Sequence, residues 1–425
     1  MKGMNKMPSY IIEGGKRLEG EVSVSGSKNA SLPILASTIL NPGVTKLYNV
    51  PEIRDTRITQ EILKFLGCKV KKNKGKIEIN SKNITKKEIP EHLMHQMRST
   101  VILAGAILGR FKEVTFSYPG GCDIGARPID LHLKSFEKLG INIVENAGFI
   151  ICKCDKIIGA NIHLDFPSVG ATENIILASV YAEGKTNITN AAMEPEIIDL
   201  ANCLNRMGAK IEGAGTSNIT ITGVEKLKDI SYNIMPDRIE AGSLLCMVAA
   251  TGGKVKLNNV VPEHIIPVLN KLEETGCKIK TEKNSIYLEA PKKLKAVDIK
   301  TMPYPGFPTD MQSVFASMLT TAKATSVIIE NIFENRYKYM AELKKMGAKI
   351  TIEGKTAIVK GVRKLNGAKV NSTDLRGGAA MVTSALIARG KTEVTNIEYI
   401  LRGYENLDKK LRSLGANMIV KEETN

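Results

Sequence analysis

The chain of 425 residues contains no tryptophan, only 5% aromatic residues, and just 14 arginines among its 60 basic residues. It also has no apolar run near the ~20 residues a membrane helix requires; stretches such as Val101 to Leu108 are far shorter. The first seven residues, Met1-Lys2-Gly3-Met4-Asn5-Lys6-Met7, lack the apolar core of a secretory signal. A cytoplasmic protein without membrane contact is therefore expected. Seven cysteines, an odd number without framework spacing, argue against structural disulfides. Cys152-x-Cys154, the only close pair, would share one face of a strand and reads as packing rather than metal ligation. Neither a metal constellation nor a cofactor motif is visible. A basic stripe interleaved with aromatics is also missing: the net charge is +16, but the lysines are scattered over polar stretches such as Lys69-Val70-Lys71-Lys72-Asn73-Lys74. That distribution speaks against nucleic-acid binding. A solvated, lysine-rich surface would also steer a small anion inward.

What is present is repetition. Six times a helical run closes on an apolar or small residue, then a glycine, then a short β-prone stretch. The copies centre on Gly67, Gly140, Gly208, Gly276, Gly347 and Gly415, with spacings of 73, 68, 68, 71 and 68 residues. A fixed period marks a copied structural unit. A chain this long exceeds one ordinary core, and six units divide naturally as three plus three. Each unit has a second helix end upstream, and the interval between the two ends is 24 or 25 residues except from Gly109 to Gly140, where it is 31. Five units run from a strand to an asparagine (Asn49, Asn190, Asn259, Asn331, Asn396). The second instead reads Tyr118-Pro119-Gly120-Gly121-Cys122-Asp123-Ile124-Gly125-Ala126-Arg127-Pro128. A long irregular loop in one copy of a regular scaffold is where function concentrates.

The first helix of each unit is rich in small apolar residues: Ala30 to Leu40, Ser99 to Leu108, Ala171 to Tyr181, Ile239 to Ala250, Asp310 to Thr320 and Gly377 to Ala388. Helices apolar on nearly every side must be buried, with strands and amphipathic second helices, such as Thr59 to Leu66 or Asn335 to Met346, packed around them. Sheets outside and helices inside are expected. The starts of the buried helices hold polar residues that their interiors lack: Ser27-Lys28-Asn29, Met97-Arg98-Ser99, Pro167 to Thr172, Pro236-Asp237-Arg238, Pro308-Thr309-Asp310 and Asp374-Leu375-Arg376. Helix N-termini attract anions, and six of them aimed at one interdomain cleft would form an anion trap. Each Ser, Thr or Asp taken singly reads first as an ordinary cap. Arg98, Arg127, Arg238, Arg336, Arg376 and Arg402, six of the scarce arginines, lie at helix starts or in turns bearing glycine or proline. Arginine grips carboxylate and phosphate through two parallel bonds, so the expected ligand is polyanionic.

Several motifs taken together carry a family resemblance: Ser25-Gly26-Ser27-Lys28-Asn29-Ala30, the Pro119 to His132 segment, Phe307-Pro308-Thr309-Asp310-Met311-Gln312, Phe333-Glu334-Asn335-Arg336, Thr373-Asp374-Leu375-Arg376 and Arg402-Gly403-Tyr404-Glu405. In order, from about Tyr10 to Val420, the chain closely resembles the UDP-N-acetylglucosamine 1-carboxyvinyltransferases, the enolpyruvyl transferases that open peptidoglycan precursor synthesis. The resemblance implies an α/β fold of two similar domains, each an inside-out α/β barrel of three repeats with buried helices and outer sheets, closing over substrates by induced fit. Residues 28–235 would form the first domain, and residues 1–27 with 236–425 the second. The implied reaction moves the enolpyruvyl group of phosphoenolpyruvate to the 3-hydroxyl of UDP-N-acetylglucosamine through a tetrahedral intermediate, releasing phosphate. It implies no cofactor, no metal and a monomer.

The same resemblance distributes the roles. Cys122 would be the general acid, able also to attack phosphoenolpyruvate as a thiolate. A glycine-rich polar loop suits that role better than an inert buried thiol, which describes Cys203 or Cys246. Some relatives carry Asp there, so the cysteine implies alkylation by fosfomycin. Asp310 would be the base for the 3-hydroxyl, although a helix cap alone would account for it. Lys28, Arg127 and Arg402 match the phosphoenolpyruvate positions, and Asn29 bridges toward the sugar. Arg98, Arg336, Asp374 and Arg376 would complete the shell with Glu334 and Asp237; structural ion pairs are the rival reading, strongest for Asp374 with Arg376. Nucleotide contacts fall on Arg127, Pro128, Ile129, Asp130 and Leu131 and on Ser168-Val169-Gly170 at a helix start. Thr309 and the backbone of Ile332 would meet the sugar. Phe166 stands where some relatives place Lys, which removes one diphosphate contact. His132 follows the loop and would tune it, while His92, His95, His163 and His264 are assigned nothing. The rivals are enolpyruvylshikimate-phosphate synthase, which lacks the Cys loop, and from other classes an RNA 3′-phosphate cyclase or a nucleic-acid-binding repeat protein.

Overall fold

A computed structural model describes residues 8–73, 75–120 and 129–421. Within these the chain divides into two compact units, residues 8–25 with 236–421 and residues 26–120 with 129–235. Each has one contiguous hydrophobic core. The N-terminal segment belongs to the first because it supplies strands there: Ser9–Glu13 lies between Lys391–Thr395 and Asn417–Lys421, and Glu19–Ser23 runs parallel to Lys254–Asn258.

The repeat is plainest over residues 161–222. Strand Asn161–His163 leads into helix Val169–Ser179 and on to strand Lys185–Thr189, which pairs parallel with the first. A parallel pair requires such a crossover. Helix Pro195–Met207 and the antiparallel strands Lys210–Glu212 and Asn218–Thr222 complete a four-stranded sheet. Five of the six repeats build a four-stranded sheet. The second repeat has three strands, Glu113–Ser117, Asn142–Asn146 and Phe149–Lys153, with a single bridge from Glu88 to Thr115 where the fourth would lie.

The buried helices are Lys28–Ser37, Ile102–Phe111, Val169–Ser179, Arg238–Ala250, Thr309–Leu319 and Leu375–Ile387. They pack on one another within each unit, and most of their residues are buried on every side. Gly105 shows how closely: a Cβ there would sit 2.5 Å from Asn174 Oδ1 on the neighbouring helix. The expected arrangement, helices within and sheets around them, is what the chain forms. The sheets of each unit are not hydrogen-bonded to one another among the described residues, so the strands do not close a continuous barrel.

The second helices are amphipathic and end where the glycine periodicity marks them. All six glycines, from Gly67 to Gly415, hold positive φ between 82° and 114°, a conformation that a Cβ disfavours. One boundary differs from expectation. The helix expected from Asn335 begins at Tyr339, because residues 334–338 form a turn that carries Arg336 into the interior.

The asparagines have a structural reason. Asn49, Asn190, Asn259 and Asn396 sit at φ 53° to 58°. Side-chain amides of Asn49, Asn190, Asn259 and Asn331 donate to the carbonyls of Ile234, Leu164, Val24 and Thr301 at 2.8, 2.7, 2.7 and 3.0 Å. Leu164 and Thr301 lie on the segments that enter the helices at Val169 and Thr309, so here the asparagine sets the entry to a helix start. No helix is long and apolar enough to cross a membrane among the described residues, and the six described cysteines are free.

Candidate active site

A dense polar constellation surrounds the start of helix Thr309–Leu319. This helix has no side-chain cap. Asp310, for which capping was the bland explanation, lies in its first turn, and its carboxylate bridges two guanidinium groups. Arg336 Nη2 donates to Oδ1 at 2.8 Å and Arg376 Nη2 to Oδ2 at 2.9 Å. Both arginine side chains are almost fully buried, 3% and 4% exposed, while that of Asp310 is 28% exposed. The carboxylate is thus clamped from behind and keeps a face toward the surroundings. Held in this way, it can accept a proton from a hydroxyl without first having to be oriented.

Burial alone would lower the Arg376 pKa, but the charges of Asp310, Tyr404 and Asp237 outweigh it and raise the pKa. Arg376 therefore remains a cation. Its plane also lies over the Tyr404 ring, 5.4 Å from the centroid, and the Tyr404 hydroxyl meets Ser243 Oγ at 2.8 Å. The Nε atoms of both Arg336 and Arg376 are buried without a hydrogen-bond partner among the described residues. Asp374 does not pair with the Arg376 side chain in the way the rival reading expected. It caps helix Leu375–Ile387 by accepting the backbone N–H groups of Arg376 and Gly377 at 2.9 and 3.1 Å. Asp237 caps helix Arg238–Ala250 through Ile239 and Glu240.

A residue absent from the sequence reading holds this region together. Glu330, 2% exposed, accepts from the hydroxyls of Thr301 (2.9 Å) and Thr309 (3.0 and 3.1 Å) and from the N–H groups of Ile332 (2.9 Å) and Phe333 (3.2 Å). A signal for it existed. Strand Thr325–Ile329 buries Ser326 and Ile328, and period-two alternation carries Glu330 into the same inward phase. Glu334, by contrast, is exposed.

In the other unit Lys28 opens helix Lys28–Ser37, and its Nζ lies 3.0 Å from the fully buried Asp55. Asn29 follows it, half-buried. Ser168 caps helix Val169–Ser179 by accepting from Ala171 N–H at 3.3 Å, with Val169 and Gly170 half-buried beside it. His132 is buried against Gly170, and its Nδ1 lies 2.7 Å from Asn174 Nδ2. Asn174 Oδ1 is already taken by Gly105 N–H, so its amide donates and Nδ1 accepts. The neutral imidazole then carries its proton on Nε2. Glu173, fully buried, has its pKa raised by burial and by the nearby carboxylates of Glu196 and Glu194. Arg98 opens a short turn and Arg402 closes another, both half-buried. Ile129 is buried, Asp130 exposed and Leu131 half-buried at the start of helix Asp130–Lys138. Cys122, Arg127 and Pro128 lie outside the described residues.

Comparison with known proteins gives a family match over nearly the full chain. The chain belongs to the EPSP synthase family (3-phosphoshikimate 1-carboxyvinyltransferase), whose model matches residues 12–411. Within that family it is 52% identical, over 97% of its own length and 99% of the relative, to UDP-N-acetylglucosamine 1-carboxyvinyltransferase 2 of Caldanaerobacter subterraneus subsp. tengcongensis. It is 48% identical to UDP-N-acetylglucosamine 1-carboxyvinyltransferase of Clostridium botulinum, over 97% of this chain and all of that one. Among solved structures, the enolpyruvyl transferase NikO from Streptomyces tendae shares the fold with a TM-score of 0.88 at 21% identity, over 98% of this chain and 99% of that one. EPSP synthase from Acinetobacter baumannii does so with a TM-score of 0.76 at 18% identity, covering 98% and 100%.

Proposed function

We propose that this enzyme transfers the enolpyruvyl group of phosphoenolpyruvate to the 3-hydroxyl of UDP-N-acetylglucosamine and releases phosphate, the first committed step of peptidoglycan precursor synthesis. The observation that carries the reading is the full-length likeness to transferases named for that acceptor. The clamped Asp310 supports it on chemical grounds. Asp310 takes the proton of the sugar 3-hydroxyl as its oxygen bonds to C2 of phosphoenolpyruvate, and Cys122 delivers a proton to the methylene carbon. Lys28, Arg127 and Arg402 balance the negative charge of phosphate and carboxylate in the tetrahedral intermediate. Loss of a proton from the new methyl group and departure of phosphate then leave the enol ether. Arg98, Arg336, Arg376, Asp374, Asp237, Glu334 and His132 support these groups. Asn29, Ile129, Asp130, Leu131, Ser168, Val169, Gly170, Thr309 and Ile332 bind the sugar nucleotide, together with Arg127 and Pro128. The enzyme works as a cytoplasmic monomer without cofactor or metal, and the Cys122 thiolate is the point of fosfomycin alkylation.

Phosphate release from phosphoenolpyruvate tests the reading, with UDP-N-acetylglucosamine and shikimate 3-phosphate as alternative acceptors. Release with the sugar nucleotide alone is expected, lost or nearly lost in Cys122→Ala, and fosfomycin should add its mass to the wild type but not to that variant. The second reading, favoured by the description of the matched family, is 3-phosphoshikimate as acceptor. Release with shikimate 3-phosphate alone would establish it and sink the first.

A further inference from the structure

Glu330 is a buried carboxylate with no ion pair among the described residues. Such a group is costly unless hydrogen-bond donors replace its water, and here four donors converge on it from three separate segments. Thr301 follows the edge strand Ile299–Lys300, Thr309 is the first residue of the buried helix, and the N–H groups of Ile332 and Phe333 belong to the segment that leads to Arg336. Each of these segments adjoins a group of the Asp310 constellation. Thr309 precedes Asp310, the 332–333 peptides precede Arg336, and Arg336 Nη2 reaches back to the Thr309 carbonyl at 3.2 Å as well as to Asp310. The loop is closed: Glu330 ties Thr309 to the 332–333 segment on one side, and Arg336 ties the same segment to Asp310 on the other.

We infer that Glu330 is a positioning residue for the acceptor side of the reaction, holding Thr309, the Ile332 peptide and, through Arg336, Asp310 at fixed separation. The inference rests on the proposed acceptor. All three of those groups are assigned to the sugar or its hydroxyl, whereas the phosphoenolpyruvate positions Lys28 and Arg402 lie on segments to which Glu330 makes no hydrogen bond. A defect at Glu330 therefore acts on one substrate and on the chemical step, and spares binding of the other. Gln at this position keeps one oxygen for the two N–H groups, and a threonine hydroxyl can rotate to accept from its amide. Ala leaves all four donors buried and unpaired.

Steady-state kinetics on Glu330→Ala and Glu330→Gln, with both substrates varied, decide the matter. For Glu330→Ala the expected result is a fall of about 100-fold in kcat/KM for UDP-N-acetylglucosamine, the scale of a small misplacement of reacting groups, with the KM for phosphoenolpyruvate unchanged within about twofold. Glu330→Gln should recover activity to within about fivefold of wild type, the scale of one neutral hydrogen bond. Should Glu330→Ala fail to fold, Glu330→Asp, which keeps the charge and loses reach, takes its place with the same split expected. A loss confined to the active fraction with both KM values unchanged, a Gln variant as impaired as Ala, or full activity in Ala would each overturn the inference. A wild type inactive toward UDP-N-acetylglucosamine would instead overturn the proposed function.

Discussion

The starts of helices Thr309–Leu319 and Val169–Ser179 occupy the same place in the repeat, one in each unit, yet use their polar groups in opposite ways. At Val169 the polar residues bond only to backbone: Ser168 caps its own helix, and Thr172 donates to the Ser168 carbonyl and accepts from Ala192 N–H, 20 residues on. At Thr309 the helix is left without a side-chain cap. Thr309 bonds to Glu330, 21 residues away, and Asp310 to arginines 26 and 66 residues away. The carboxylates follow the same division. Asp310 is paired with two cations, whereas Glu173 is pushed toward its neutral form by burial and by neighbouring glutamates. A repeated scaffold thus supplies equivalent positions, and the start at Thr309 differs by directing its polar groups to buried charged side chains, one of which, Arg376, comes from the next repeat.

The most severe way to break this contrast is Asp310→Asn, which retains the shape and removes the basicity. A fall in kcat of about 10²- to 10⁴-fold is expected from the loss of a general base, read in the phosphate-release assay with the KM for phosphoenolpyruvate little altered. Equal kcat in the variant would make Asp310 a mere clamp for its arginines. Ser168→Ala, the matching cut in the other unit, should by contrast cost about 1 kcal/mol of stability, as lost caps do.

Arg376→Lys addresses the clamp itself. Lysine keeps the charge but not the planar fork that joins Asp310 and stacks on Tyr404. With the Arg376 side chain itself buried this deeply, about 3 kcal/mol of stability should be lost, measured by urea denaturation at neutral pH. A loss below that of Ser168→Ala would mean that the bridge contributes no more than a local cap.

Proton linkage separates the units in a third way. Asp199 accepts from the Tyr232 hydroxyl at 2.6 Å and from Met235 N–H at 3.2 Å, yet burial pushes its pKa up to about 6, with Glu196 adding to the rise. The folded state therefore holds this proton more tightly than the unfolded chain. Its contribution to stability is greatest below the unfolded pKa near 4 and is lost as pH rises through about 6. Asp199→Asn should remove that slope, gaining about 2 kcal/mol on wild type between pH 4 and pH 7. Parallel stability curves for the two proteins across that range would show that Asp199 titrates as an ordinary carboxylate.

Much of the fold was legible because its determinants are local. A glycine after each second helix is demanded by left-handed φ, and a helix apolar on all sides has nowhere to go but inside. The second repeat announced its irregularity by a longer interval, and it is the one that lacks a fourth full strand. The candidate site was only half legible. Residue types at helix starts were readable, but a cap and a cross-repeat bridge look alike in one dimension, which is why Asp310 stayed ambiguous and Asp374 was offered as the ion partner of Arg376. Glu330 was missed for a related reason. Its inward phase is visible only once the strand before it is known, and a lone glutamate beside an asparagine reads as solvent-facing. The late start of the Tyr339–Lys345 helix has the same origin, since the pull of Asp310 on Arg336 is tertiary.

The smallest effect tests whether the asparagines act through backbone shape or through their amides. Asn190 has both features, φ 55° and a 2.7 Å bond to the Leu164 carbonyl, whereas Asn331 makes the corresponding bond to Thr301 at 3.0 Å without a positive φ. Alanine at Asn190 forfeits a hydrogen bond and puts a Cβ into the left-handed region, so about 2 kcal/mol should be lost. Alanine at Asn331 forfeits the bond alone, about 1 kcal/mol. Glycine at Asn190 relieves the backbone and should recover part of the difference, bringing it level with Asn331→Ala in a thermal melt. If glycine and alanine at 190 prove equally damaging, the amide alone sets the entry to the Val169 helix. The conformational argument for the repeated asparagine would then fall, and the entries to the Val169 and Thr309 helices would differ only in what their first polar residues reach.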